Sequence, residues 1–552
     1  MLIAGTQDQI GGRIQLGQTT SLQKKKGSES SSLGDAMQIK LLPPRFARPL
    51  PLLAAALFFV LLTTVTRLHN GAFLPASILP GSQPKAADKT QDEPGKPQRP
   101  APNRAPVAPG QCTPELDFLR RTELDLSDSI LYSRRCIKPH PVKDFDRSKV
   151  TNISQPLFAH TTAVNLTDCT VHAPIPCDVL PLNVPFPYPE QDYKHLLFGI
   201  ASNYERTRDS LPAFAHWMSD TGALLLGIVV DAEEEKDGRT IRHDLAALEQ
   251  EYAAAGVNAS FIAPTLKKHP MTGEPDSRTE HHHFMLIRDL LQRSGPGTKW
   301  IGVLDDDTFF PSIYNLDQEL QRHDHTQSLW LGALSDNFNS LKNWGYMAYG
   351  GAGAFLSVPL ARELEPHLET CIVETTVDTG DGILRDCVYT HTHTKLTLVA
   401  HMYQHDMHGD MSGFYESGIR PLSVHHWKSW YHEPVPEMAA VGGICGDCFL
   451  ARWRFGDDTL LANGYSVARY APGVLDAIDL GRMESTWDWP GHEYDFSFAP
   501  RRDKLGKEQK KSYHLKDVVV SDKGALTQVY VYKGDWEKGE RDEVVELVWE
   551  SN

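Results

Sequence analysis

The run KWIGVLDDDTFF, residues 299–310, decides the fold. Trp300 through Leu304 is continuously apolar, the pattern of a short strand buried on both faces, and it predicts a strand over 299–305. That strand delivers Asp305, Asp306 and Asp307 to its carboxyl end, where sheets of this kind bind ligands. Adjacent carboxylates repel one another, so gathering three costs energy unless a cation compensates. Oxygen ligands favour Mg²⁺ or Mn²⁺, and such an ion binds a diphosphate and neutralises a leaving group. Neighbouring side chains of a strand point to opposite faces, so one or two of the three carboxylates reach the ion. A solvated acidic turn is the plain alternative. The buried strand before the triplet and Phe309-Phe310 after it favour the metal.

Upstream of this run, strand and helix patterns alternate. Strands are expected at His195–Ser202, Ala223–Asp231 and Asn258–Pro264, and helices at Glu205–Met218, Thr240–Ala255 and Glu280–Arg293. Apolar strands alternating with helices imply an α/β fold with a mostly parallel sheet covered on both faces. No GxGxxG follows the first strand and no GxxxxGK[ST] occurs, so neither a dinucleotide fold of the Rossmann type nor a P-loop is indicated. From about residue 320 the pattern is mixed, and the last fifty residues read as a small terminal β element.

Three further motifs carry possible chemistry. Gly350–Ser357 (GGAGAFLS) holds small residues, including Gly351 and Gly353, that let a backbone approach a ligand or pack tightly. Asp378-Thr-Gly-Asp381-Gly lies between Cys371 and Cys387; a carboxylate there suits a general base, and equally a helix cap. Ser423–Tyr431 contains His425, His426 and Trp427. Neutral imidazole ligates metals and Trp stacks on sugar or base, while a buried aromatic cluster is the bland reading. His281-His282-His283 and the histidines from 401 to 408 are expected on helix or loop, as chance clusters among 24 His.

The 552 residues carry 55 basic and 71 acidic side chains, a net charge of −16 that argues against a general nucleic-acid binder. Residues 1–48 form a polar tail with basic residues at 24–26, 45 and 48, and residues 49–66 are an uncharged apolar stretch near the lower limit for a membrane span. The basic side faces the cytoplasm; a cleaved signal peptide is disfavoured by the long tail. Residues 67–111 include a Pro-rich stretch that cannot bury a core and reads as a stalk. All eight Cys lie beyond it, as do acceptor sites at Asn152, Asn165 and Asn258, which suits a lumenal, disulfide-forming domain. Local pairs Cys169–Cys177 and Cys371–Cys387 are expected. Cys445 and Cys448 are read as disulfide-forming, since no second CxxC completes a zinc site.

In this order, KWIGVLDDDTFF, GGAGAFLS, the Asp381-Gly loop framed by cysteines, and SVHHW at 423–427 resemble the fringe-type branch of glycosyltransferase family 31 across about residues 195–435. SNYERTRDSLPAFAHWM at 202–218 resembles the family's nucleotide-side opening, and the anchor and stalk suit it too. The chain is most similar to fungal and plant fringe-related proteins. The resemblance implies a GT-A-like fold and this organisation: 1–48 cytoplasmic tail, 49–66 transmembrane anchor, 67–111 stalk, 112–194 lumenal lead-in, 195–435 catalytic domain and 436–552 C-terminal extension. It implies a type II Golgi membrane enzyme that moves a sugar from a UDP-sugar to a glycan or glycoprotein hydroxyl, with inversion. Mn²⁺ or Mg²⁺ would be held by Asp307, with Asp305 or Asp306 assisting, and by His425, which the SVH register favours over His426. Asp381 would be the base, although the family loop often begins Pro-Asp-Asp and here reads Asp378-Thr-Gly-Asp381. Arg206 and Arg208 would face the nucleotide or, equally, lie on a helix surface; Asp231, at the end of the second strand, is by position a candidate for uridine or ribose contact; Asp305, Asp306, Gly351, Gly353 and Trp427 would line the substrate. A lectin-like protein on the same fold, a metal-dependent hydrolase and a glycosidase are the competing readings.

Overall fold

Seven strands carry the site: β1 (Leu196–Ser202), β2 (Leu224–Val229), β3 (Ala259–Ile262), β4 (Trp300–Val303), β5 (Trp330–Gly332), β6 (Ala354–Ser357) and β7 (Leu396–Leu398). They form one sheet in the order β3-β2-β1-β4-β6-β5-β7. β6 runs antiparallel to both neighbours, and the other pairings are parallel. The mixed α/β architecture with a mostly parallel sheet is therefore present. The structure is a computed structural model and describes residues 112–551 apart from 172–174, 237–238, 376, 488–494 and 499. The expected tail, anchor and stalk lie outside the described residues. Among the described residues, no helix is long and apolar enough to cross a membrane.

The continuous apolar strands are buried on both faces. On one side Leu197, Leu226, Ile301 and Leu356 pack with Phe284, Leu286 and Leu290 of α4 (Thr279–Arg293). On the other, Phe198, Ile200, Trp300 and Phe355 pack with Phe214 and Trp217. The register places Ile301 between Leu197 and Leu356.

Two expected helices differ. Glu205–Met218 is two helices, α1 (Tyr204–Asp209) and α2 (Leu211–Met218). Pro212 lacks the N–H that a continuous helix would donate to the Arg208 carbonyl, so the run breaks at Ser210 and Pro212 sits in the first turn of α2. Within Thr240–Ala255, Arg239–Arg242 pairs with Glu233–Lys236 in a hairpin, and only α3 (Leu245–Ala254) is helical. Asp244 sets that start by accepting a hydrogen bond from the Ala247 N–H at 3.0 Å.

The terminal β element is larger than expected. Leu526–Tyr532 and Asp542–Trp549 lie inside an eleven-stranded sheet that includes Ser129–Pro141 of the lead-in, with Ile130 opposite Asp542 and Ile137 opposite Trp549. Tyr530, Leu547 and Trp549 face one apolar cluster, while Val529, Val531 and Val544 face another. Strands buried on both faces need partners on both, which a small isolated element could not supply.

The disulfides are Cys112–Cys169, Cys136–Cys177, Cys371–Cys387 and Cys445–Cys448. The expected Cys169–Cys177 pair does not form. Parallel pairing sets Cys136 beside Val179, which draws Cys177 to Cys136. Cys371–Cys387 forms as expected, and Cys445–Cys448 closes on itself. Asn152 and Asn258 are exposed and Asn165 is half-buried.

Candidate active site

Beyond β4 the chain leaves the sheet at Leu304, whose N–H donates to the Gly199 carbonyl at 2.9 Å. The three carboxylates that follow lie in a turn, closed by the Thr308 N–H donating to the Asp305 carbonyl at 3.2 Å, and they point in different directions. Asp305 and Asp307 turn to His425, whose Nε2 lies 3.3 Å from Asp305 Oδ2 and 2.9 Å from Asp307 Oδ1. Asp306 turns away. The Arg206 guanidinium grips it through both oxygens, with Nε donating to Oδ2 at 2.6 Å, and the Ser202 hydroxyl donates to it as well.

His425 is fully enclosed. Its Nδ1 lies 3.2 Å from the Gln404 carbonyl, to which it donates, so Nε2 is the nitrogen aimed at the carboxylates. Burial opposes the imidazolium, but Asp307 and Asp305 outweigh it and lift the His425 pKa well above the usual histidine value. Burial likewise opposes ionisation of the carboxylates. For Asp305, His283 and His425 win and hold it well below the usual range; for Asp307, His425 brings it to about 2. His426 stands beside them in a left-handed conformation, φ 58°. Its ring stacks on Trp430 at 3.9 Å, and Nε2 sits 3.1 Å from Asp406 Oδ1. Asp307, His425 and His426 each offer one ligand atom, all within 4.8 Å of one another. Carboxylate oxygen with imidazole nitrogen is a donor set that suits a divalent metal ion.

The glycine segment gives this cluster its room. A Cβ on Gly351 would stand 2.2 Å from His425 Cε1 and Nδ1, and one on Gly350 would stand 2.7 Å from Asp381 Oδ1. Gly353 adopts φ 99°, which glycine tolerates best. Here the close approach is by the protein's own side chains.

Asp381 lies in the first turn of α5 (Gly380–His391), and its Oδ2 accepts the Gly350 N–H at 2.8 Å. Burial raises its pKa to about 6, Asp305 adds to the rise, and His283, the Gly350 N–H and His425 oppose it. A carboxylate poised near neutrality suits a general base. His283, on α4, bridges the two halves. Its Nε2 is 3.2 Å from the Leu304 carbonyl and 3.3 Å from Asp305 Oδ1, and a Cβ on Gly380 would meet its Nδ1 at 2.5 Å. Sequence reasoning passed over His283 as one of a chance cluster. Its signal was a polar side chain at a helix position otherwise buried against the sheet.

Other expected residues are placed differently. Trp427 is buried, and its Nε1 donates to the Asp307 carbonyl at 2.7 Å, so it braces the triplet instead of offering a free face to a sugar. Arg208 pairs with Glu251 on the surface at 2.8 and 3.0 Å, away from the triplet. Asp231 accepts the Tyr204 N–H at 2.7 Å and so caps α1 at the end of β2. Arg206 and Asp306 spend their charges on each other.

Residues 340–443 match a family described as a protein of unknown function, DUF604. That span holds the glycine segment, Asp381, His425 and His426, and begins after the aspartate triplet. No curated protein matches the chain. Among solved structures, apo mouse xyloside xylosyltransferase 1 is similar at 11% identity over 38% of this chain and 85% of that one, with a TM-score of 0.26. The galactosyltransferase LgtC with donor and acceptor sugar analogues is similar at 11% identity over 37% and 73%, TM-score 0.26. Mannosyltransferase PcManGT from Pyrobaculum calidifontis with GDP-Man and Mn²⁺ is similar at 10% identity over 41% and 60%, TM-score 0.24. Likeness at this level assigns neither activity nor site.

Proposed function

We propose that the chain is an inverting glycosyltransferase that moves a hexose or N-acetylhexosamine from a UDP-sugar to a glycan or glycoprotein hydroxyl. In this reading it is a type II Golgi membrane protein with its catalytic part in the lumen. One observation carries the proposal: an Asp305–Asp307–His425 cluster at a strand's carboxyl end meets a raised-pKa carboxylate, Asp381, across the Gly350 turn.

The residues fit a divalent ion, and Asp305, Asp307 and His425 would hold it, with His426 beside them. Such an ion neutralises charge that develops on the departing diphosphate. Gln404 fixes the His425 ring so that Nε2 faces the cluster, and Trp427 fixes the Asp307 backbone. The Arg206–Asp306 pair holds the middle carboxylate out of the way. Asp381 takes the proton of the acceptor hydroxyl as that oxygen bonds to the anomeric carbon. The electron pair of the broken bond to phosphate leaves with UDP.

The test is release of UDP from a panel of UDP-sugars with Mn²⁺, with EDTA, and with or without glycan acceptors. Acceptor-dependent, EDTA-sensitive release supports the transferase. Release of free sugar or phosphate indifferent to acceptor favours the hydrolase, and activity surviving EDTA favours a glycosidase.

A further inference from the structure

Three exposed aromatic side chains lie on the segment beside the base and are used by nothing described so far. The short helix Phe338–Trp344 has no buried residue, and Phe338, Trp344 and Tyr346 are 47, 47 and 69% exposed. Both ends of this segment are tied to the site. At its start, the Asn337 side-chain amide donates to the Asp406 carbonyl at 3.0 Å, and Asp406 is the residue that holds His426. At its end, Arg385 Nη1 donates to the Trp344 carbonyl at 2.5 Å. Arg385 lies four residues after Asp381 on α5, one turn along the same helix face. The chain then reaches Gly350, whose N–H holds Asp381 itself. The aromatic segment therefore spans from the metal cluster to the base.

Its chemistry is amphipathic in a particular way. Flat apolar rings alternate with exposed Asn343, whose amide both donates and accepts hydrogen bonds, and with Asn339, whose amide donates to Asp495 at 3.3 Å. A pyranose presents the matching pattern, an apolar C–H face edged by hydroxyls. Between Phe338 and Tyr346 the segment carries a single basic residue, Lys342. That is a poor match for an anionic lipid surface, which draws clusters of Lys and Arg.

We propose that Phe338–Tyr346 is the acceptor platform: an oligosaccharide lies with pyranose faces on Trp344 and Tyr346 and presents a hydroxyl to Asp381. This rests on the glycosyltransferase reading above, and the test reads the two separately. The full chain, kept in a non-glycosidic detergent, is examined by saturation-transfer NMR with chitotetraose, cellotetraose and β-1,4-galactotetraose as probes. UDP binding with Mn²⁺ is measured alongside. Transfer to the ring C–H protons of at least one tetraose is expected in the wild type. It should fall at least fivefold in Trp344→Ala/Tyr346→Ala and recover by half or more in Trp344→Phe/Tyr346→Phe. UDP affinity should stay within twofold, and Trp536→Ala, an exposed indole elsewhere, should change nothing. Transfer undiminished in the double alanine variant, or absent for all three tetraoses in the wild type, would overturn the platform; the second result would make a protein the better occupant. Tetraose binding lost in the double variant, without UDP binding in the wild type, would keep the platform as a glycan-binding surface and sink the transferase reading.

Discussion

Gly351→Ala isolates the reason for the glycine segment. The new methyl would stand 2.2 Å from the His425 ring, whereas carbon atoms rest at about 3.5 Å or more. The ring must therefore retreat by more than about 1 Å, or the Gly350–Ala352 turn must move. Neither is free to do so: the ring is tied to Gln404, Asp305 and Asp307, and the turn to Asp381 through Gly350. Overpacking of this kind costs about 1–3 kcal/mol in stability. Displacing a ligand or its support costs about 10–100-fold in metal affinity. Gly353→Ala is the contrast. Its nearest neighbour is the flexible tip of Met402 at 3.0 Å, and its cost is mainly the backbone at φ 99°. Calorimetric Mn²⁺ titration and thermal unfolding of both variants separate the cases. Gly351→Ala should lose metal affinity as well as stability, and Gly353→Ala chiefly stability. A Gly351→Ala protein that binds Mn²⁺ as tightly as the wild type would refute the reasoning.

Four further outcomes are expected. Asp381→Asn keeps the group's shape, so UDP binding should survive while acceptor-dependent transfer falls by about 10²–10⁴-fold. In the wild type the base is ionised above its pKa of about 6, and a bound cation lowers that value, so kcat/KM should fall as pH drops through about 6 and below; a flat profile there would exclude Asp381 as the base. Burial, with Asp406 adding, raises Asp336 from 3.8 to about 7, against the His405 N–H. The folded protein keeps this proton where the unfolded chain has lost it, so its contribution to stability is full below about pH 4 and is lost as pH rises to about 7. Urea midpoints of Asp336→Asn should lack that part of the decline. Arg206→Ala strands the 6%-exposed Asp306 carboxylate and should cost about 1–3 kcal/mol in urea unfolding. Arg208→Ala, on the surface, should stay within about 0.5 kcal/mol; equal effects would contradict the placement of the two arginines.

Four of the seven strands, β1 to β4, were legible from local apolar pattern, and the aspartate triplet after β4 marked the ligand end of the sheet; β5, β6 and β7, only three or four residues each, were not. Strand alternation was the expected reason for only part of the triplet to reach the ion, but it is a turn, closed by the Thr308 N–H on the Asp305 carbonyl, that brings Asp305 and Asp307 to His425. The eleven-stranded sheet was not legible. It joins Ser129–Pro141 to Asp542–Trp549, some 400 residues away, and no local pattern encodes such a parallel register. His283 was hidden for a related reason: its role exists only where α4, the end of β4 and the start of α5 meet. Trp427 was read as a stacking face because aromatic chemistry allows it, but the fold uses its indole N–H as a brace inside the loop.

The central claim is that Asp305, Asp307 and His425 hold the metal that binds a nucleotide diphosphate. It is tested most directly by calorimetric titration of UDP into the full chain with Mn²⁺ and with EDTA, beside Asp307→Ala. The account predicts binding that requires Mn²⁺ and disappears in the variant. UDP binding equally tight in EDTA, or retained by a folded Asp307→Ala protein, would contradict it.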